Sequence, residues 1–223
     1  MTTSASTTSK DELRAQFWAQ VDDLGGLLDE LDDADFDQAS LCQGWLVRDV
    51  FGHMCVGHTT SGPAVAAKLL RYKGNVATAS FEMSKVWAAD RSPTEIRSFW
   101  QRELVAGRAR RGIATTIRWD DGLIDHLVHE QDVRRAVGRT RALPERRLRL
   151  ALDRAPHVHS PLFSIRRTVK GLRLEATDLD WSWGDGQLVS GPAEALLMAI
   201  SGRTVALREL EGPGVAVLGG RAG

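Results

Sequence analysis

Asp121-Gly-Leu-Ile-Asp-His-Leu-Val-His-Glu-Gln-Asp-Val-Arg-Arg-Ala-Val-Gly138 is the stretch whose spacing sets the architecture. Ile124, Leu127 and Val128, then Val133 and Val137, recur at the three- and four-residue steps of one helix face, and Gly138 supplies the stop. Interleaved with that stripe stand Asp125 and His129. Four residues apart, they share one side of the helix, with Cβ atoms about 6 Å from each other. The spacing predicts a helix that is core on one side and titratable on the other.

The same periodicity runs upstream. Leu13, Phe17, Val21, Leu24, Leu28 and Leu31 form one apolar stripe behind the capping-box pair Ser9 and Glu12; Gly25-Gly26 weakens this helix without ending it. The acidic run Asp32–Asp37 is expected to follow as a solvated loop, and residues 1–8, rich in Ser and Thr, to be disordered. A second helix is expected after Gly44-Trp45, with Val47, Val50, Phe51 and Met54 inward. Further helices are expected over about Pro63–Tyr72, over Ala79–Ala89, and from Ser92-Pro93-Thr94-Glu95 to about Arg110. Leu143–Ala155 adds one more.

Beyond Pro161 the pattern changes. Leu172–Thr177 alternates as a strand does, and Trp181–Trp183 with Gln187–Ser190 around Gly184-Asp185-Gly186 suggests a hairpin. A short helix over Ala193–Ile200 and a last strand over Val215–Leu218 complete the expectation. The fold class is α+β, mainly α: a helical bundle over residues 1–160 and a small α+β region over 161–223. No internal repeat is present.

Composition narrows the function. Basic and acidic side chains number 29 each, so the balance favours neither nucleic acid nor an anionic membrane. No apolar run is long enough to span a bilayer, and the start has no apolar signal segment, so a cytoplasmic protein without membrane partners is expected. Two cysteines, Cys42 and Cys55, make no disulfide framework, which leaves His, Asp and Glu to build any metal site.

Two ligands from one helix need a third from another. His53, among Val50, Phe51 and Met54, is the candidate, since bundle interiors host metals on facing helices. His126 with His129, and His129 with Asp132, are rival pairs, while His157 and His159 beside prolines read as loop residues. Each residue also has a bland reading. Trp45 reads first as a core anchor. Asp49 is either an acceptor for the His53 imidazole or a carboxylate at a helix N-terminus. Asp132 reads first as a surface partner of Arg134 or Arg135. Arg203 is either a fork for a substrate carboxylate or part of a helix C-cap. Cys42 reads as a buried thiol and not a nucleophile.

Ser40-Leu-Cys-Gln-Gly-Trp-Leu-Val-Arg-Asp-Val-Phe-Gly-His53, Asp125-His-Leu-Val-His-Glu-Gln-Asp-Val-Arg-Arg-Ala-Val-Gly138 and Gly191-Pro-Ala-Glu-Ala-Leu-Leu with Ser201-Gly-Arg203 occur in that order. Together they resemble the signatures of the mycothiol-dependent maleylpyruvate isomerase family, within the DinB-like metal-binding group. The resemblance implies an up-and-down four-helix bundle with a small C-terminal α+β region. It also implies a divalent metal, usually zinc, on His53, Asp125 and His129, mycothiol as thiol cosubstrate, and Arg203 near the active site. The family pattern has glutamate where this chain has Asp125, one methylene shorter, so the substrate is expected to be a small electrophile not restricted to maleylpyruvate. An isomerase or thiol transferase, monomeric or homodimeric, is the leading expectation. A hydrolase with metal-bound water and a non-catalytic binder of small molecules are the alternatives.

Overall fold

The computed structural model describes residues 8–159 and 164–222, so residues 1–7 of the Ser/Thr-rich start lie outside it. Helix α1 (Lys10–Glu30) begins where Ser9 Oγ accepts the Glu12 N–H at 3.1 Å. Its stripe from Phe17 to Leu28 is buried, and Leu13 packs half-buried at the edge. Helix α1 lies along α6 (Trp119–Arg134) and touches α5 (Pro93–Phe99), which continues as a π-helical segment over Trp100–Ala106. The Trp100 indole N–H reaches across to the Val21 carbonyl at 3.1 Å. Capping by Ser92 and Glu95 starts α5 as expected.

Helix α2 (Val47–Thr59) turns Val47, Val50, Phe51 and Met54 fully inward. It crosses α4 (Val76–Ala89) at very close range: a Cβ on Gly52 would sit 2.7 Å from the Ser84 carbonyl oxygen. Glycine is what lets these two backbones meet. Between them α3 (Gly62–Arg71) buries none of its residues.

Helix α6 is central. Twelve of its sixteen residues are buried, including the charged Glu130, Asp132 and Arg134. The Arg134–Glu130 pair closes at 2.7 Å, and Gln20 donates to Glu130 at 2.6 Å. Buried charge on this helix is therefore matched within the fold. One apolar core gathers α1, α2, α5 and Val133. The other runs from Leu123, Ile124, Leu127 and Val128 through α7 (Glu145–Arg154) to the C-terminal sheet and α9 (Ala193–Ile200). Short helices α8 (Ile165–Thr168) and α10 (Gly214–Gly219) flank that second core.

The fold is α+β and mainly α, with four local departures from expectation. The acidic run is a 3-10 helix over Asp33–Asp37, not a solvated loop, because Phe36 plugs the core and Arg139 reaches Asp35 at 2.9 Å. The helix from Ser92 ends at Ala106, not near Arg110. Gly107 and then Arg108, at φ 46°, turn the chain there, and the Arg108 guanidinium grips Asp22 at 2.7 and 3.0 Å.

The expected hairpin is not formed. Strands β1 (Leu172–Ala176), β2 (Ser182–Trp183) and β3 (Gln187–Gly191) order as β2-β1-β3, with β1 antiparallel to β2 and parallel to β3. The Gly184-Asp185-Gly186 link crosses over the start of β1, so close that a side chain on Gly186 would collide with the Gly171 carbonyl. Finally, Val215–Leu218 belongs to α10, not to a strand. Among the described residues, only Ser190 on the β3 edge pairs further, bridging to Glu211, and the chain then turns at Pro213 into a helix that buries Leu218.

Candidate metal centre

Helices α2 and α6 bring His53, Asp125 and His129 together. Asp125 Oδ1 lies 3.6 Å from His53 Nε2 and 3.5 Å from His129 Nε2, and one ligand atom from each residue falls within 4.8 Å of the others. The two imidazoles are 5.0 Å apart, centre to centre. Metal–nitrogen and metal–oxygen bonds of about 2.1 Å place neighbouring donors about 3–3.5 Å apart, so the trio is close to ligating geometry.

The remaining ring nitrogens are occupied. His129 Nδ1 donates to Asp132 Oδ2 at 2.9 Å, and His53 Nδ1 meets Ser80 Oγ at 3.2 Å. With both Nδ1 atoms engaged on the far side, the Nε2 atoms turn toward Asp125, and Nε2 is the nitrogen each ring would offer a cation. Trp45 packs over both rings, 5.2 Å from His53 and 6.1 Å from His129. Its own position follows from the local turn: Ser40 Oγ donates to the Trp45 carbonyl, and the Leu41 N–H donates to the Asp132 carbonyl.

Electrostatics follow from these contacts. Burial works against the charge of Asp125, but His129, His126 and His53 outweigh it and hold the carboxyl well below its usual range. Burial likewise opposes protonation of His129, and the Asp125 charge with bonds to Asp125, Asp132 and Cys42 pushes it well above the ordinary value.

Asp132 does not pair with Arg134 or Arg135. Those arginines are taken by Glu130 and Glu30, and by Glu194 and Glu209. Instead Asp132 receives His129, the Cys42 thiol at 3.0 Å and a two-armed fork from Arg203 at 3.0 and 2.6 Å. Arg203 is thus committed to a carboxylate of the chain itself, one layer behind His129. Gly202 at φ 92° and the Arg203 N–H on the Met198 carbonyl form the helix cap as well. Cys42, His129 and Asp132 form a second triplet with metal-ligand spacing, but the Arg203 fork already neutralises its carboxylate. Asp49 accepts the Leu46 N–H at 2.9 Å and so caps α2 without reaching His53.

Two histidines outside the trio also meet. His58 and His126 place their Nε2 atoms 3.2 Å apart, fully packed against Phe17. Burial, then His126, pushes His58 down to about 3, so it is uncharged near neutrality. Nothing local in the sequence links positions 58 and 126, or 53 and 80. Asp132, three residues beyond His129 on one helix, was a legible signal.

A cavity of about 280 Å³ opens from His53 and Asp125 between α2, α3, α4 and the start of α6. His53 and Asp125 therefore face a space large enough for a small molecule. Among the described residues no helix is long and apolar enough to cross a membrane.

Comparison with known proteins places this geometry in context. The sequence profile described as "Mycothiol maleylpyruvate isomerase N-terminal domain" matches residues 17–115, which include His53 but stop short of Asp125. No curated protein matches the chain significantly in sequence. A crystal structure of a mycothiol-dependent maleylpyruvate isomerase superposes with TM-score 0.58 at 18% identity, covering 91% of this chain and 92% of that one. A variant of such an isomerase, with one histidine replaced by alanine, superposes with TM-score 0.59 at 14% identity, covering 95% and 96%. Over residues 17–115 the chain is thus similar to the mycothiol maleylpyruvate isomerase N-terminal domain, and its fold is similar to that of those isomerases.

Proposed function

We propose that this chain is a metal- and thiol-dependent enzyme. His53, Asp125 and His129 would hold one divalent cation, zinc by the resemblance, and mycothiol would bring the thiol that attacks a small electrophile, as isomerase or transferase. The carrying observation is that both imidazoles turn Nε2 toward Asp125 while their Nδ1 atoms are engaged by Ser80 and Asp132. Two nitrogens and one carboxylate suit zinc or a neighbouring first-row ion, and three protein ligands leave a position open. When bound, such a cation would keep a sulfur ligand deprotonated near neutral pH.

The rest is the work of side chains. Asp132 fixes the tautomer of His129, and Ser80 that of His53. Trp45 pins both rings, and the apolar walls of the cavity keep water away from the sulfur and its target. A reducing cytoplasmic setting suits the two free thiols. Arg203 acts in this reading through Asp132 as a positioning residue.

The test is consumption of a small electrophile by the purified protein with mycothiol, without it, and after chelation. Turnover is expected only with both thiol and metal. Metal-dependent turnover without the thiol would transfer the site to hydrolysis, and turnover indifferent to chelation would contradict the proposal.

A further inference from the structure

The cavity beside His53 and Asp125 is walled by Met54, Val65, Leu69, Ala79 and Met83. Its volume of about 280 Å³ lies at the small end for organic ligands, which occupy pockets of about 300–1,000 Å³. The charged residues on its lining differ in what they already hold. Arg118 closes a fork on Asp120 at 2.9 and 2.7 Å, and Asp121 receives Arg154 at 2.8 and 3.2 Å. Asp125 belongs to the trio. Arg110 is the exception. Among the described residues its guanidinium meets no carboxylate: Nη2 donates to the carbonyls of Ala114 and Ile117, Nη1 has no partner, and Nε is buried without one.

The guanidinium is nonetheless fixed in place. It stacks 3.8 Å over the Trp119 ring and lies 5.9 Å from the centre of the Phe17 ring. Rings and neutral carbonyls position the group but leave its charge without a counter-ion, and burial works against that charge. Its neighbour Arg111 donates its N–H to the His58 carbonyl at 2.8 Å, which sets Arg110 at the C-terminal end of α2. His58 stays uncharged there, for the reason given above. His53 stands five residues back on the same helix, about 7.5 Å along its axis. A phenyl ring with a short chain covers such a span.

We infer that Arg110 is a specificity residue of this cavity: it anchors the carboxylate of a ligand whose remaining body is apolar, of which an arylalkanoic acid is an example. A carboxylate supplies the missing counter-ion through a charge-assisted bond, and the apolar walls take the rest of the molecule. This binding preference stands on the cavity alone. That such an acid is also the electrophile, with the end away from its carboxylate turned to His53 and Asp125, rests on the metal- and thiol-dependent reading.

The experiment is calorimetric titration of the full-length protein with 4-phenylbutyrate and with its neutral counterpart 4-phenylbutyramide, before and after chelation. The acid is expected to bind at least about tenfold more tightly than the amide in both conditions. Arg110→Met keeps the length of the side chain and removes the charge. It should bring the acid down to the affinity of the amide while leaving the amide within about twofold of its wild-type value. Ile113→Glu, at a lining residue that is 41% exposed and so tolerant of change, introduces a competing carboxylate without altering Arg110 and should also reduce the advantage of the acid. Equal affinity for acid and amide, no binding of either, or equal loss of both in Arg110→Met would overturn the inference. So would an advantage of the acid that survives Arg110→Met, or one that chelation removes, since the carboxylate would then sit on the metal. A chain that carries no metal and still prefers the acid through Arg110 supports this inference and defeats the metal reading.

Discussion

A carboxylate with 0% side-chain exposure needs compensation, and Asp132 receives it from three partners: the imidazole of His129, the thiol of Cys42 and the fork of Arg203. Burial alone would raise its pKa, but the His129 and Arg203 bonds and the Arg203 charge hold it below the usual carboxylate range. A group that stays charged in such surroundings is well suited to keep a proton on His129 Nδ1 and the lone pair on Nε2. Asp132→Asn preserves the shape and removes the charge. Metal affinity, measured by competition with a chelator of known strength, is expected to fall about 10- to 100-fold. Unchanged affinity would mean that Asp132 serves only as the structural partner of Arg203.

At the scale of elements, the crossing of α2 and α4 positions His53. Gly52 lies against the Ser84 carbonyl, and one residue on, His53 reaches Ser80 from the same helix pair. Gly52→Ala would force the helices apart, because backbone, not a flexible side-chain end, blocks the methyl. A loss of about 1–3 kcal/mol is expected in denaturant unfolding, together with weaker metal binding as the His53–Ser80 bond lengthens. Destabilisation without any change in metal affinity would contradict the link between this crossing and the site.

The helices and the pairing of Asp125 with His129 were legible because their signals are local: the 3.6-residue period, the caps at Ser9 and Ser92, and the four-residue step from Asp125 to His129. Spacing alone did not single out His53, and the family resemblance had to be added. What escaped depends on distant partners. Gln187–Gly191 carries a strand pattern, but its pairing with β1 instead of β2 is set by a chain crossing between residues 184 and 186. Val215 and Val217 favour strands by propensity, yet they lie in α10 over the C-terminal core. The Cys42–Asp132 contact spans 90 residues and has no local trace.

For the whole molecule, α6 is the element that couples the parts. Its residues Leu123–Val128 enter the core that extends to the C-terminal sheet, and Val133 enters the core of α1 and α2. Asp125 and His129 therefore stand on a helix shared by both cores, and Arg203 braces them from the C-terminal side through Asp132. This makes the site's geometry a property of the complete fold, in the manner of a preorganised ligand set. Elemental analysis of the protein purified without chelators, alongside His129→Ala and His53→Ala variants shown to be folded by circular dichroism, decides whether His53, Asp125 and His129 hold a metal. About one divalent ion per wild-type chain is expected, with loss of that ion in both variants. A wild-type chain without stoichiometric metal, or a folded His129→Ala chain that keeps it, would contradict this expectation.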